Sequence, residues 1–302
     1  MGGGSYSYDN AVYRSVSSGY ATKSTIEVFK QRSINNAMSP YGVKIRESRD
    51  SAEHPESYPI IINLDVTGSM GSIPHFIVKE GLPNIMKKIM EAGIKHPQIL
   101  FNAIGDHTCD DAPLQVGQFE SSDDLLDHWL TTVWIEGHGG GNEGESYLLA
   151  WYFAANHTST DSFEKRNKKG VCITIGDEPT LDSVSSSALR EIMGDAKSEY
   201  GKASTNELLE KAQKAWACYH IHVAETRAGQ DTRTQNGWKE LMRDYCLFLK
   251  NKEEIDDMIA DIVIKEYQKD SNWKPTKTKV DTTEVDKSET VGVNVDKEDI
   301  YA

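Results

Sequence analysis

Residues 60–71 read Ile60-Ile61-Ile62-Asn63-Leu64-Asp65-Val66-Thr67-Gly68-Ser69-Met70-Gly71. The opening run is apolar without alternation and is closed by an acid, as expected of a strand buried on both faces. Gln98–Ile104 repeats the pattern. Leu114–Phe119 follows a polar connection containing Pro113 and reads as a shorter edge strand, antiparallel to the second. Further runs at Lys169–Gly176, Ala217–Ala224 and Tyr245–Leu249 bring the expected strands to six.

The stretches between them have helical period. Leu82, Ile85, Met86, Ile89 and Met90 recur at three and four, with a break expected near Gly81 because Pro83 suits a first turn and not a helix interior. Ser146–Ala155 is apolar nearly all round, the pattern of an interior helix. Ser204 and Glu207 form a capping box ahead of Leu208, Leu209, Ala212 and Trp216. Ile255, Met258, Ile259 and Ile262 make the stripe of a last helix. Strands alternating with helices predict a doubly wound α/β fold: a mostly parallel six-stranded sheet with one antiparallel edge strand and helices on both faces.

Outside this region the patterning fades. Residues 1–57 are rich in Gly, Ser, Tyr and charge and are expected to form an extended arm, with one short helix or strand near Lys23–Gln31. Residues 268–302 carry Thr, Lys, Asp, Glu and Val with few large apolar side chains, which predicts a flexible tail. The domain itself is assigned to 58–267.

The 302 residues include 47 acidic and 33 basic side chains, a net charge of −14. That balance argues against nucleic-acid binding, which rests on Lys and Arg displacing counterions. No stretch approaches the roughly 20 apolar residues of a membrane helix, and no secretory leader is evident. Cys172, Cys218 and Cys246 sit in apolar runs, and with Cys109 they form no CxxC pair. Buried thiols without metal or disulfide spacing fit a cytoplasmic protein.

In open α/β sheets ligands bind outside the carboxyl ends of the strands. After the first strand, Asp65, Thr67 and Ser69 alternate at i, i+2 and i+4 among turn-forming residues, so three oxygen-bearing side chains can bend towards one point. A hard cation such as Mg²⁺ needs one or two carboxylates, hydroxyls and waters. After the fourth strand, Asp177 offers a second carboxylate. Between them, Glu136–Ser146 is a glycine-rich loop leading into the interior helix. It lacks the GK[ST] of a phosphate loop, and its acids would repel phosphate. His107 and Cys109, with Asp106, Asp110 and Asp111, suggest a zinc hydrolase less well than a polar connection between antiparallel strands.

These residues resemble a von Willebrand factor A (VWA) domain carrying a metal-ion-dependent adhesion site, over roughly Tyr58–Tyr267. The family's Asp-x-Ser-x-Ser is matched by Asp65, Thr67 and Ser69, and its distant Asp by Asp177. Its second-loop Thr has no counterpart; by position Asn142 is the stand-in, with Glu145, Ser146 or water as alternatives. The sequence is also similar to bacterial and phage VWA proteins found beside MoxR-type AAA+ ATPases. The resemblance implies a Rossmann-like fold and a binding module rather than an enzyme. Its Mg²⁺ or Mn²⁺ would be completed by an Asp or Glu from a protein partner, and the narrower resemblance implies an adaptor for an AAA+ ATPase. An assembly component of a phage or defence complex is the alternative. A Mg²⁺-dependent phosphohydrolase of the haloacid dehalogenase type needs a second Asp as proton donor where this chain has Thr67.

Overall fold

The computed structural model describes residues 4–136, 144–194 and 201–269. Six strands form the central sheet: β1 (Tyr58–Asp65), β2 (Pro97–Ile104), β3 (Leu114–Val116), β4 (Gly170–Gly176), β5 (Trp216–Val223) and β6 (Cys246–Leu249). They lie in the order β6-β5-β4-β1-β2-β3, all parallel except β3, which runs antiparallel to β2. The doubly wound sheet expected from the apolar runs is therefore present, with its antiparallel edge strand.

All eight residues of β1 are buried, as a strand covered on both faces requires. Ile60, Ile62 and Leu64 face one layer, with α2 (Leu82–Glu91), α3 (Asp123–Thr131) and α8 (Ile255–Gln268). Ile61 faces the other, with α4 (Tyr147–Asn156), α5 (Ser186–Met193), α6 (Thr205–Ala212) and α7 (Thr232–Met242). Every residue from Tyr147 to Ala154 is buried, which explains the absence of a polar stripe. Ser204 accepts from the Glu207 amide while the Glu207 carboxylate accepts from the Ser204 amide, closing the capping box on α6.

Two elements differ from the sequence pattern. β3 stops at Val116 rather than Phe119: the Gly117 amide still bonds in register to the Phe101 carbonyl, but the pairing then slips by one residue before it resumes at Ile99 and Glu120. The break expected near Gly81 is a π-helical turn, Ile77–Gly81, running without interruption into α2. Pro83 cannot donate to the Lys79 carbonyl four residues back. The Ser15 hydroxyl donates to it instead, at 2.8 Å.

That hydroxyl belongs to α1 (Tyr8–Ser17), in the segment read as an extended arm. The segment is helical at Tyr8–Ser17, Thr25–Val28 is the short element expected near Lys23–Gln31, and Tyr20, Val28, Phe29 and Met38 are buried against the α2 and α8 layer. Further on, Arg46–Ser48 pairs in parallel with Thr158–Thr160. Charges fasten this junction: Arg49 and Lys165 hold Asp161 at 2.9 and 2.7 Å, and Arg166 holds Asp50 at 2.7 Å.

Burial would raise the Asp161 carboxyl, but its bonds to Lys165, the Asp50 amide and Arg49 prevail and hold it down at about 2. A depressed carboxyl stabilises the fold above its unfolded value, near 4, and that contribution is lost as pH falls towards 2. Asp161→Asn should therefore cost about 1–2 kcal/mol at pH 7, allowing for screening at the exposed Lys165. Urea unfolding at pH 7 and at pH 2 checks this: the two proteins should converge in acid, and an equal gap at both pH values would contradict it.

Candidate metal centre

The chain winds outward from β1 in both directions, through β2 and β3 on one side and β4 to β6 on the other. The crevice between the carboxyl ends of β1 and β4 is therefore the topological switch point of the sheet. Asp65 is the last residue of β1, and Asp177 is the first after β4. Neither has exposed surface.

The turn after β1 brings the alternating side chains together. Asp65 Oδ1 accepts from the Thr67 amide at 2.9 Å and from its hydroxyl at 2.6 Å. Thr67 Oγ1 lies 3.2 Å from Ser69 Oγ, which donates to Asp177 Oδ1 at 2.8 Å. Asp65, Thr67, Ser69 and Asp177 thus form one hydrogen-bonded cluster. Asn142, the expected glycine-loop member, lies outside the described residues. Ser146 is engaged elsewhere: its hydroxyl accepts from the His107 amide at 2.8 Å and meets His107 Nδ1 at 2.7 Å.

Two members of the cluster had no sequence signal. Tyr147 donates to Asp65 Oδ2 at 2.7 Å, and Thr226, just past β5, donates to Asp177 Oδ2 at 2.6 Å. Tyr147 reads in sequence as one more apolar residue of the interior helix. Its trace lies instead at Gly176, where a Cβ would come within 1.8 Å of the Tyr147 hydroxyl.

The electrostatics are those of acids without a counter-charge. Burial, then the charge of Asp177, pushes the Asp65 carboxyl up to about 7 against the hydrogen bonds from Thr67 and Tyr147. Glu145 rises to about 10 through burial and then Asp65, Asp110 and Asp106. No ion pair among the described residues involves Asp65, Asp177 or Glu145.

Two buried carboxylates with two hydroxyls and no cationic side chain make an all-oxygen donor set that suits a hard divalent ion. Among the described residues no three His, Cys, Asp or Glu side chains converge, in the polar loop at 106–111 or elsewhere. Cys109 there bonds to Asp106, and burial followed by the neighbouring carboxylates pushes its thiol up to about 12, far from a thiolate nucleophile. A cleft of about 1760 Å³ opens beside Ser69 and runs past Glu178, Arg227 and Trp238 to Tyr245. No described helix is long and apolar enough to cross a membrane.

No known family profile matches the chain, and no curated protein matches it. Among solved structures it is similar to the pilus adhesin SpaC from Lactobacillus rhamnosus GG, with 11% identity and a TM-score of 0.47 over 74% of this chain and 31% of that one. The vWF domain of the type V pili tip protein Mfa5 from Porphyromonas gingivalis gives 9% identity and a TM-score of 0.42 over 78% of this chain and 99% of that one. The conserved hypothetical protein BatB from Bacteroides thetaiotaomicron gives 12% and 0.43 over 70% and 99%. The chain spans about a third of SpaC.

Proposed function

We propose that this chain is a metal-dependent protein-interaction module of the VWA type. In this reading Asp65, Thr67, Ser69 and Asp177, with Asn142 or a neighbour from the glycine-rich loop, hold Mg²⁺ or Mn²⁺, and a protein partner supplies an Asp or Glu carboxylate. The observation that carries it is the convergence of four oxygen-bearing side chains at the switch point around two buried, uncompensated carboxylates.

A bound ion would supply the positive charge that attracts an incoming carboxylate. The chain's own groups do the rest. Tyr147 and Thr226 each hold one oxygen of a carboxylate in place, leaving the opposite edges of Asp65 and Asp177 turned towards Thr67 and Ser69. The cleft beside Ser69 gives a partner segment room to approach. Nothing here favours hydrolysis, because the position that would carry the proton donor is Thr67, and its hydroxyl is bound to Asp65. A MoxR-type AAA+ ATPase as the machine served, and a cytoplasmic location, belong to the same proposal.

Magnesium at a hundredfold its dissociation constant would stabilise the protein by about 2.7 kcal/mol. For a domain of this size that raises the melting temperature by about 5–10 °C over the same protein in EDTA. Asp177→Ala should lose that increment and keep its far-UV spectrum, since Asp177 lies beyond the end of β4. A magnesium response intact in Asp177→Ala would sink the assignment. Assembly with a partner that survives EDTA would point to the metal-free phage or defence component.

A further inference from the structure

A third carboxylate stands over the strand ends, and the cluster of Asp65, Thr67, Ser69 and Asp177 does not use it. Glu145 is 7% exposed, and its Oε2 is buried without a hydrogen-bond partner. A polar oxygen in that position is a cost to the fold unless something compensates it.

Its backbone is fixed from both sides. The Glu145 amide donates to the Pro179 carbonyl at 2.8 Å, and its carbonyl accepts from the Leu181 amide at 3.0 Å, which ties it to the loop after β4. The next amide, that of Ser146, donates to the Gly105 carbonyl at 3.0 Å, which ties it to the end of β2. Since β2 and β4 flank β1, this short segment bridges the end of the strand that carries Asp65. Among the charges acting on Glu145, that of Asp65 is the largest.

We propose that Glu145 reaches the cation from the glycine-rich loop and, until a partner binds, holds the coordination position the partner's carboxylate would take, so that the chain carries its own competitor for that position. This rests on the reading of the strand-end oxygens as a cation site. Ser146, the neighbouring alternative, has its hydroxyl committed to His107. No three acidic or imidazole side chains converge among the described residues, so engagement of the cation by Glu145 requires its side chain to rotate about a backbone already in place.

Charge balance gives the consequence. Two carboxylates neutralise a divalent ion and a third leaves the site with one negative charge, so a fourth from a partner is disfavoured while Glu145 remains. Partner binding then becomes an exchange of one carboxylate for another, and its affinity is a difference between the two. Such a module stays closed to weak acidic ligands and opens only to a partner whose further contacts outweigh the loss of Glu145.

Mn²⁺ on the full chain tests this, with affinity measured by calorimetry and the number of metal-bound waters by water-proton relaxation. Glu145→Gln should bind Mn²⁺ at least tenfold more weakly than wild type and carry one more bound water. Added acetate should displace water from the variant's ion at lower concentration than in wild type. Glu145→Asp, which shortens the reach by one methylene, should show the same extra water and serves if the amide variant does not fold. Wild-type affinity and hydration in these variants, with Mn²⁺ binding lost in Asp65→Ala, would overturn the role of Glu145 and leave the cation site standing. Failure of wild type to bind Mn²⁺ would overturn the cation site itself.

Discussion

In EDTA at pH 8, Asp65→Asn is expected to unfold at a higher urea concentration than wild type, and in saturating magnesium at a lower one. Asp65 has no exposed surface, lies in one cluster with Asp177 and has no cationic partner. A buried ionised carboxylate beside another is a cost to the folded state, which the neutral amide removes. The amide oxygen still accepts from Thr67, and its NH₂ can donate to the Tyr147 oxygen, so the shape is kept.

The sign follows from the direction of the shift. The Asp65 carboxyl stands at about 7 in the fold against 3.8 for an ordinary Asp, so the folded chain holds a proton that the unfolded chain releases. Stability is therefore lost as pH rises between these values, and above pH 7 the cost is on the order of 1–4 kcal/mol. Asp65→Asn should flatten that slope. With magnesium present the carboxylate becomes an asset, and the order of the two proteins reverses. If Asp65 were only a cap for the following turn, the substitution would destabilise in both buffers, and urea melts with and without metal separate the cases.

Gly176→Ala should be a severely damaging single-methyl substitution next to the site. The added Cβ would lie 1.8 Å from the Tyr147 hydroxyl and 2.6 Å from its Cζ. Tyr147 has no room to give way: it is fully buried on α4 and packed edge-on against His220 and Trp238, with centroids at 5.4 and 5.2 Å. Overpacking and loss of the Tyr147–Asp65 bond together should cost about 3–5 kcal/mol. Adding Tyr147→Phe removes the closest clash but leaves the ring, so rescue should be partial. A Gly176→Ala protein within 1 kcal/mol of wild type in urea unfolding would mean that Tyr147 does not lie across β4.

Much of this architecture is legible from Ile60–Leu64 and its counterparts, because strands buried on both faces leave unbroken apolar runs whatever their order in the sheet. Asp65 and Asp177 stand out for the same reason, as the acids that close two such runs. Tyr147 and Thr226 do not: one is disguised by the apolar helix it begins, and the other lies three residues past β5, where only the folded sheet brings it to Asp177. α1 is invisible to apolar periodicity because none of its residues is buried. It is held by the Ser7 cap, the Arg14–Asp123 ion pair at 2.6 Å and the Ser15 bond to Lys79. The π-helical turn had a trace in Pro83, but a proline marks only that regular helix is interrupted, not how the chain resolves it.

The central claim is that the oxygens after β1 and β4 hold a divalent cation. Calorimetric titration of Mg²⁺ and Mn²⁺ into wild type and Asp65→Ala addresses it most directly. Saturable binding of one ion per chain in wild type, lost in a variant that keeps its far-UV spectrum, is the expected result. No heat of binding in wild type at millimolar metal, or equal binding by both proteins, would contradict it.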